Sequence, residues 1–477
     1  MRLLLCMILY FVGVIQAATT ISEDFEAPSF TNRTLWNIIS SSVLTLFACI
    51  YSAIHPNIPS PKDSLFRILW RRLGIMIMAL IAPELIVVWA MRQWMGARHV
   101  TKQFKKSGYF NVPRPLERSE NYELAEVPAE QLQHYDRARL LVGPGEVSTS
   151  RYGGTHALAK PFKKLFEAYI SDQSEDYAWT QTHSFFVLMG GFMLYMNGKP
   201  YRTLLPNEVL ELIRDDCIDA PILTAKEIGD RSKGNVISKG LIILQVAWFI
   251  LQLISRAIYR LETTQLETGT LAFAVLNFLT YALWWNKPLD VQCPYRVYWK
   301  STESMPEDHI NALPNDNEDN VLITIIKATF GPFMELMGLS VPTRKLRVPT
   351  FDGSIKLENS DKVILVFAGV LFATIFGGIH CMAWFFAFPT YREQVLWRIS
   401  AVAITCTPWI EILINAVMSV ISNIDIGAIM TAVVMCIFAL LYIAGRGMLL
   451  VLMFTTLRHL PVDAYTTVSW ISFVPHL

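Results

Sequence analysis

Long apolar runs separated by polar regions dominate the pattern along the chain. A helix that crosses a membrane needs about 20 predominantly apolar residues. The runs that meet or approach this length are 35–54, 73–94, 240–259, 269–285, 363–388, 396–421 and 426–445. The pattern therefore predicts an all-α membrane protein with about seven transmembrane helices, which follow an N-terminal signal sequence. Its polar loop regions are expected to carry short helices.

The first residues have the pattern of a secretory signal. Residues 1–18 contain one basic residue, Arg2, then an apolar core, then Ala17 and Ala18 before the expected cleavage point. An uncleaved membrane anchor is the alternative. Either interpretation places the segment Asn32-Arg33-Thr34 on the lumenal side, where Asn32 is an acceptor for N-glycosylation. The predicted location is an integral membrane position in the secretory pathway, at the plasma membrane or an endomembrane.

The apolar runs also divide the chain into regions. The predicted regions after the signal peptide at 1–18 are a lumenal N-terminus with two membrane segments (19–96), a polar loop and short-helix region (97–239), two transmembrane helices (240–285), a polar loop (286–361), three transmembrane helices (363–457) and a C-terminal tail (458–477). Within the first polar region, residues 183–196 ("HSFFVLMGGFMLYM") are apolar over a length that suits a re-entrant or buried helix better than a span. Gly190 and Gly191 would allow a break or a close helix contact at its middle.

Basic residues beside the apolar runs predict which ends share a side of the membrane. Arg231 precedes one run, and Arg344 and Arg347 precede another. Cytoplasmic loops carry an excess of Lys and Arg. We therefore expect these two polar regions to lie on the same, cytoplasmic, side as the basic loop 55–72. This arrangement requires either that the second apolar run dips into the membrane and returns, or that residues 183–196 cross it.

Composition, charge and motifs give no sign of a nucleic-acid partner, a disulfide scaffold or a known catalytic site. The chain has 477 residues, 53% of them hydrophobic, and a net charge of +1, so no basic footprint for nucleic acid is present and the lipid bilayer is the expected partner. The seven cysteines do not form a disulfide scaffold pattern. A P-loop, a zinc-protease motif and a nucleophile elbow are all missing from the sequence, and the nine histidines are scattered. No cofactor and no metal are predicted.

The segment Trp284-Trp285-Asn286-Lys287-Pro288 follows one apolar run directly. Tryptophan is enriched at membrane interfaces, a lysine side chain can extend to the headgroups, and proline stops a helix. The pattern is therefore interpreted as the interfacial end of a transmembrane helix. A catalytic use of these residues is the alternative.

Two glutamates stand where the membrane should be driest. Glu84 follows Pro83 near the centre of 73–94, and Glu411 lies near the centre of 396–421, shortly after Pro408. An ionisable group at the centre of a membrane helix costs at least about 2.5–3.5 kcal/mol, so it normally faces protein or water. The candidate ion- or solute-binding residues are Glu84, Glu411, Asn415 and Gln252. The alternative is that these polar groups only hold helices together.

Asn415 shares a helix face with Glu411, and Gln252 belongs to a polar stripe on the third apolar run, 240–259. Arg446 follows roughly twenty apolar residues, which places it near an interface, away from Glu411.

Several stretches, read together, resemble a known group of proteins. They are "HPNIPSP" (55–61), "ALIAPELIVVWAMRQW" (79–94), "HSFFVLMGGFMLY" (183–195), "DRSKGNVISKGLIILQVAWFILQ" (230–252), "TLAFAVLNFLTYALWWNKPLDVQCP" (270–294) and "LRHLPVDAYTTVSWISFVPHL" (457–477). The chain is similar to a large family of uncharacterised multi-pass membrane proteins of filamentous and mushroom-forming fungi. The resemblance implies a fungal source and a membrane location, and it carries over no functional residue.

The leading functional hypothesis is a transporter or sensor of a small solute or ion that uses its intramembrane carboxylates. A membrane-anchored interaction or scaffold protein is the alternative, and a membrane enzyme is third. Aqueous access to Glu84 and Glu411 would favour transport, whereas function that survives their neutralisation would favour a scaffold.

Overall fold

The computed structural model describes residues 33–110, 178–232, 236–300, 346–349, 357–421 and 425–467. The described helices are α1 (Leu35–Ala53), α2 (Leu65–Ile81), α3 (Pro83–Ser107), α4 (Gln181–Leu188), α5 (Pro206–Arg214), α6 (Ala225–Arg231), α7 (Val236–Ile258), α8 (Gln265–Leu283), α9 (Asn359–Cys381), α10 (Tyr391–Ile421) and α11 (Asp425–Thr455). The described strands are β1 (Phe192–Met196), β2 (Lys199–Thr203) and β3 (Tyr295–Tyr298). The predicted signal sequence, Asn32, Arg344 and the C-terminal residues from 468 lie outside the described residues.

Several of these helices begin where the sequence supplies a capping side chain. The Thr34 hydroxyl accepts from the Asn37 backbone N–H at the start of α1, and the Ser64 hydroxyl does the same for Arg67 at the start of α2. At the start of α8, Thr264 and Glu267 form a complete capping box. Each contact pairs a backbone donor that a helix start would otherwise leave unsatisfied.

Within the described residues, six helices are long and apolar enough to cross a membrane. Their apolar stretches are Leu35–Ser52, Gly240–Ile258, Gln265–Leu283, Asn359–Phe385, Tyr391–Ile414 and Val433–Arg458. These helices indicate a membrane protein, and they correspond to six of the seven predicted runs. The remaining run, 73–94, is divided between α2 and α3, whose axes are bent by 114° at a break between Ile81 and Pro83.

The α2–α3 pair starts and ends at the same face of the helix bundle. Asp63, just before α2, forms an ion pair with Arg347 at 3.7 Å. Near the end of α3, Phe104 stacks on Trp179 with ring centroids 4.0 Å apart. Ile58, shortly before Asp63, donates its backbone N–H to Met189 O at 2.9 Å, and Val348, next to Arg347, packs beside Gly190. Both ends of the pair therefore lie against residues 178–232, so the pair enters the bundle and returns. This geometry matches the alternative in which the second run dips in and returns, whereas the length of the run 73–94 by itself predicted one span.

A small module covers this face of the bundle. We call it the cap, and it consists of residues 178–232, 286–300 and 346–349. Its three-stranded sheet has the order β2-β1-β3, with β1 antiparallel to β2 and parallel to β3. The prediction of an all-α fold was therefore wrong in this part of the chain, although most of the described residues are helical.

The segment 183–196 contains both kinds of structure. Its first half lies in α4, which ends at Leu188, and its second half contains β1. Gly190 has φ +90°, and a Cβ on Gly191 would lie 2.3 Å from the Phe186 ring. The predicted break at the two glycines is confirmed, because only glycine fits this turn. The prediction of one re-entrant or buried helix was wrong, because the chain after the break pairs as a strand.

Contacts at the helix ends define two opposite faces. On the cap side, the Ser232 hydroxyl donates to Leu289 O (3.1 Å) and accepts from Leu289 N (2.9 Å), so α7 leaves the cap and α8 returns to it. On the other side, Arg33 N donates to Tyr465 O at 2.7 Å, and Gln265 Nε2 donates to Ala387 O at 2.8 Å. We call this side the far face. Both ends of the described chain lie on it.

Two apolar cores match this division. One core joins the cap to α1, α2 and α3, and includes Trp89, Trp179 and Trp284. The other lies within the bundle among α8, α9, α10 and α11, and includes Phe273, Phe376 and Trp397. Because the cap shares its core with three bundle helices, we expect the cap and the bundle to fold as one unit.

The sidedness of the two faces remains a prediction, and it is open to a direct test. Arg231 and Arg347 both lie on the cap face, as do Arg67 and Arg71 at the start of α2. By the positive-inside rule we expect the cap to be cytoplasmic and the far face to be lumenal. Asn32 should then carry a glycan that a glycosidase removes with a shift in gel mobility. A glycan on an acceptor site inserted in the cap, with none at Asn32, would reverse this orientation.

Candidate functional site

The break between α2 and α3 is the central feature of the bundle interior. Pro83 has no backbone N–H and its ring would clash with the preceding turn, so α2 cannot continue through it. Ala82 adopts φ −143° and ψ 71°, and α3 begins with Pro83 at its first position. The last carbonyls of α2 and the first N–H groups of α3 therefore meet at one place inside the bundle.

Glu84 lies on the α3 side of this break. It lies in the first turn of α3, where the helix dipole favours a negative charge, and only 5% of the residue is exposed. The Tyr442 hydroxyl donates to Glu84 Oε1 at 2.7 Å. The other carboxylate oxygen, Oε2, is buried and has no hydrogen-bond partner among the described residues.

Arg446 occupies the other end of the break. Its Nε donates to Ile81 O at 2.7 Å and its Nη2 approaches Leu80 O at 3.4 Å, so the guanidinium caps the last turn of α2. The guanidinium also lies 3.7 Å from the centroid of the Phe376 ring. Arg446 and Tyr442 are four residues apart on α11 and so share one helix face. Through these two side chains, α11 holds both ends of the break.

The position of Arg446 corrects the prediction that it lies near an interface. Its side chain is buried, and the apolar stretch of its helix is Val433–Arg458, which places Arg446 at the middle. The apolar run predicted from the sequence begins at Ile426. The helix instead extends to Thr455, which moves the membrane-spanning part toward the C-terminus.

Glu411 lies apart from the break, on α10. The apolar stretch of α10 is Tyr391–Ile414, so Glu411 is near the cap end of the stretch and not at its centre as predicted. The side chain is half-buried. The charge of Glu411 acts on Tyr442, as does the charge of Glu84, so the Tyr442 hydroxyl stands within electrostatic reach of both carboxylates.

The structure gives less support to the two uncharged candidate residues, Gln252 and Asn415. Gln252 is half-buried on α7. About two turns earlier on the same helix, Gln245 Nε2 donates to Thr45 Oγ1 of α1 at 3.1 Å, which is the interhelical contact expected of a structural polar stripe. Asn415 belongs to α10, and its side chain lies outside the described part. A role for Gln252 or Asn415 in binding stays a prediction.

A second buried polar group lies at the seam between the bundle and the cap. Trp284 and Lys287 were interpreted as an interfacial belt with a lysine that reaches the headgroups, and this interpretation was wrong. Trp284 is fully buried and only 2% of Lys287 is exposed. Lys287 Nζ donates to His55 O at 2.6 Å and to Gln93 Oε1 at 2.8 Å. The lysine is part of the protein interior.

A third buried group is an ion pair at the far face. Arg33 and Glu267 form a bidentate contact with distances of 2.5 and 3.1 Å. Arg33 Nε also donates to Ala464 O at 2.6 Å. Arg256 donates to Thr466 O at 2.7 Å and binds the Asp463 carbonyl at 2.9 Å. These two arginines hold residues 463–466 against the starts of α1 and α8, and we call this group the clasp.

Sequence reasoning missed Tyr442, Arg446, Lys287 and Arg33 as site residues. Tyr442 and Arg446 carried a usable signal, since a tyrosine and an arginine four residues apart in an apolar helix share one face. Among the described residues, no group of three His, Cys, Asp or Glu side chains could hold a metal ion.

Comparison with known proteins identifies a family. The chain belongs to a family of unknown function, DUF8562, whose model matches residues 4–139, 161–311 and 353–477. No curated protein matches the chain. No solved structure matches it either.

Proposed function

We propose that this member of the family is a membrane carrier that moves protons, alone or together with a small solute, and that Glu84 is its proton-binding residue. The observation that carries the proposal is the buried Oε2 of Glu84, which has no hydrogen-bond partner among the described residues. A buried carboxylate oxygen without a partner is unfavourable when it is charged. Protonation removes that charge and creates an O–H donor at the same place.

The location of Glu84 supports a transport role. Irregular backbone at membrane depth is tolerated where it lies against protein or a cavity, and transporters build substrate and ion sites at such helix breaks. In many of these sites a metal cation binds the carbonyl end of a half-helix. Here Arg446 already takes that position by binding Ile81 O. A change in the protonation of Glu84 is therefore the charge change that we expect at this break.

Other polar groups extend from the break toward both faces. Tyr442 connects Glu84 electrostatically with Glu411, which lies closer to the cap. On the far side, His380 is fully buried and its Nδ1 is bound to Phe376 O at 2.9 Å. Since a carbonyl only accepts, Nδ1 carries the proton, and the buried Nε2 is an acceptor without a described partner. Glu411 and His380 are the two groups through which a proton would approach Glu84.

Proton flux into liposomes tests the proposal. With purified protein, an internal pH-sensitive dye and an imposed membrane potential, we expect the parent protein to acidify the interior and Glu84→Gln to reduce the rate at least tenfold. Glutamine keeps the shape of the side chain and accepts from Tyr442, so assembly should be preserved. Glu358→Gln is the matched control, because this carboxylate is exposed and, within the described residues, its ion pair is with the exposed His99.

The same experiment separates the alternatives. A folded Glu84→Gln protein with parental flux would exclude Glu84 as the proton site. A parent protein with no flux under any imposed gradient would favour the scaffold hypothesis, in which the bundle anchors the cap. The enzyme hypothesis would require a convergent polar site elsewhere in the chain.

A further inference from the structure

The Lys287 ammonium is surrounded by uncharged oxygen atoms. Besides His55 O and Gln93 Oε1, its Nζ donates to Asn57 Oδ1 at 3.3 Å. The amide nitrogen of Asn57 donates to Pro349 O at 2.9 Å, and this contact turns the amide oxygen toward the lysine. Three acceptors require three N–H donors, which the ammonium has and the neutral amine lacks. The arrangement therefore fits the charged form of Lys287.

Two tryptophan rings complete the surroundings. Lys287 Nζ lies 4.6 Å from the Trp284 ring centroid and 5.2 Å from that of Trp89. The two rings are 4.6 Å apart at 86°, so they form adjacent walls. The face of an indole ring attracts a cation, and the attraction is stronger when the cation is desolvated. Burial lowers the pKa of Lys287, and the three oxygen atoms and two ring faces oppose that effect because they favour the ammonium.

We propose that these groups form a binding site for a primary ammonium ion, which the chain fills with its own Lys287. We call the site the ammonium cage, and its members are His55 O, Asn57, Trp89, Gln93 and Trp284. Neutral oxygen acceptors with aromatic walls are the combination that selects organic ammonium ions. An ordinary surface lysine would instead pair with a carboxylate or with water.

The members of the cage come from separate parts of the fold. His55 and Asn57 follow α1, Trp89 and Gln93 are one turn apart on α3, and Trp284 is the C-cap residue of α8. Asn57 also binds Pro349 in the cap. Through these contacts Lys287 connects α3 with the loop after α1 and with the cap. This inference does not depend on proton transport by Glu84.

Removal of the lysine side chain should leave a cage that a soluble ammonium ion can fill. We expect Lys287→Ala to lower the melting temperature of the purified protein, and ethylammonium or propylammonium to restore roughly 2–4 °C of the loss. Lys287→Met is the control, because it fills the space without a charge and should not respond. The parent protein should not respond either. Stabilisation of all three proteins to the same extent, or of none by either ion, would overturn the proposal.

A second variant keeps the test valid if Lys287→Ala does not fold. Gln93→Glu replaces a neutral acceptor with a carboxylate beside the lysine. If Lys287 is charged and lies in the cage, the new ion pair should leave the melting temperature within a few degrees of the parent. The same change in a Lys287→Met background would bury an unpaired charge and should prevent folding or lower the melting temperature much further. Equal effects in both backgrounds would contradict a charged Lys287.

Discussion

Replacement of Arg446 by methionine should destabilise the folded protein by about 3–5 kcal/mol. The guanidinium is buried at the middle of α11, where it binds Ile81 O and stands within Coulombic reach of Glu84. Methionine fills much of the space. It leaves the last carbonyls of α2 unpaired and the Glu84 carboxylate without a nearby positive charge. The loss can be measured by unfolding in mixed micelles, followed by tryptophan fluorescence.

A second change should recover part of this loss. The double variant Glu84→Gln with Arg446→Met removes both charges, so we expect it to be more stable than Arg446→Met alone. Arg392→Met, at an exposed position near the start of α10, is the control and should be close to neutral. A stable Arg446→Met protein, or a double variant that is no better than Arg446→Met, would mean that the two charges are not coupled.

Neutralisation of the clasp should have the next largest effect. Glu267→Gln should lower the free energy of unfolding by roughly 2–3 kcal/mol, because it leaves the guanidinium of Arg33 largely buried without a counter-charge. Glutamine can still cap α8, so the change isolates the ion pair from the helix cap. We also expect residues 463–466 to separate from the far face. Faster trypsin cleavage at Arg458 would report that separation.

An ion pair with an exposed arginine on the same face provides the comparison. Glu393 and Arg458 also form a Glu–Arg contact at 2.5 Å, but the arginine is 62% exposed. Solvent screens such a pair, so Glu393→Gln should change stability by less than about 1 kcal/mol. If Glu267→Gln were no more destabilising than Glu393→Gln, the buried ion pair of the clasp would not be a major contribution to the free energy of unfolding.

The sequence predicts the membrane helices well because their signal is local. A run of apolar residues of sufficient length is visible without any tertiary information, and six of the predicted runs match apolar helices in the described residues. The run 73–94 is different, because hydropathy measures the length of a segment and not its direction. Pro83 marks the break, and the basic loops allow a segment that dips in and returns, but the contacts of Phe104 and Asp63 with the cap are needed to choose that alternative.

The sequence predicts one part of the candidate site, Glu84, and misses Arg446 and Lys287. Glu84 stood out because a carboxylate inside an apolar run is costly. Arg446 was misplaced because the apolar stretch of α11 continues beyond the expected end. Lys287 could not be identified locally, since the order Trp, Trp, Asn, Lys, Pro is equally typical of a membrane interface. Its true neighbours, Gln93 and His55, are distant in the sequence.

The sheet of the cap was also beyond local reasoning. β1 is short and apolar throughout, which fits a buried helix segment equally well. Its parallel partner β3 follows only after α7 and α8 have left the cap and returned. Pairing across two membrane helices leaves no periodic signal in the sequence.

The protonation state of Glu84 tests the central claim most directly. Infrared difference spectra of the reconstituted protein, recorded between alkaline and acidic pH, report the C=O stretch of a carboxyl group as it takes up a proton. We predict a band from a buried protonated carboxyl that appears in the parent protein and in Glu358→Gln and is missing from Glu84→Gln. An unchanged band in a correctly folded Glu84→Gln protein would contradict the assignment of Glu84 as the proton-binding residue.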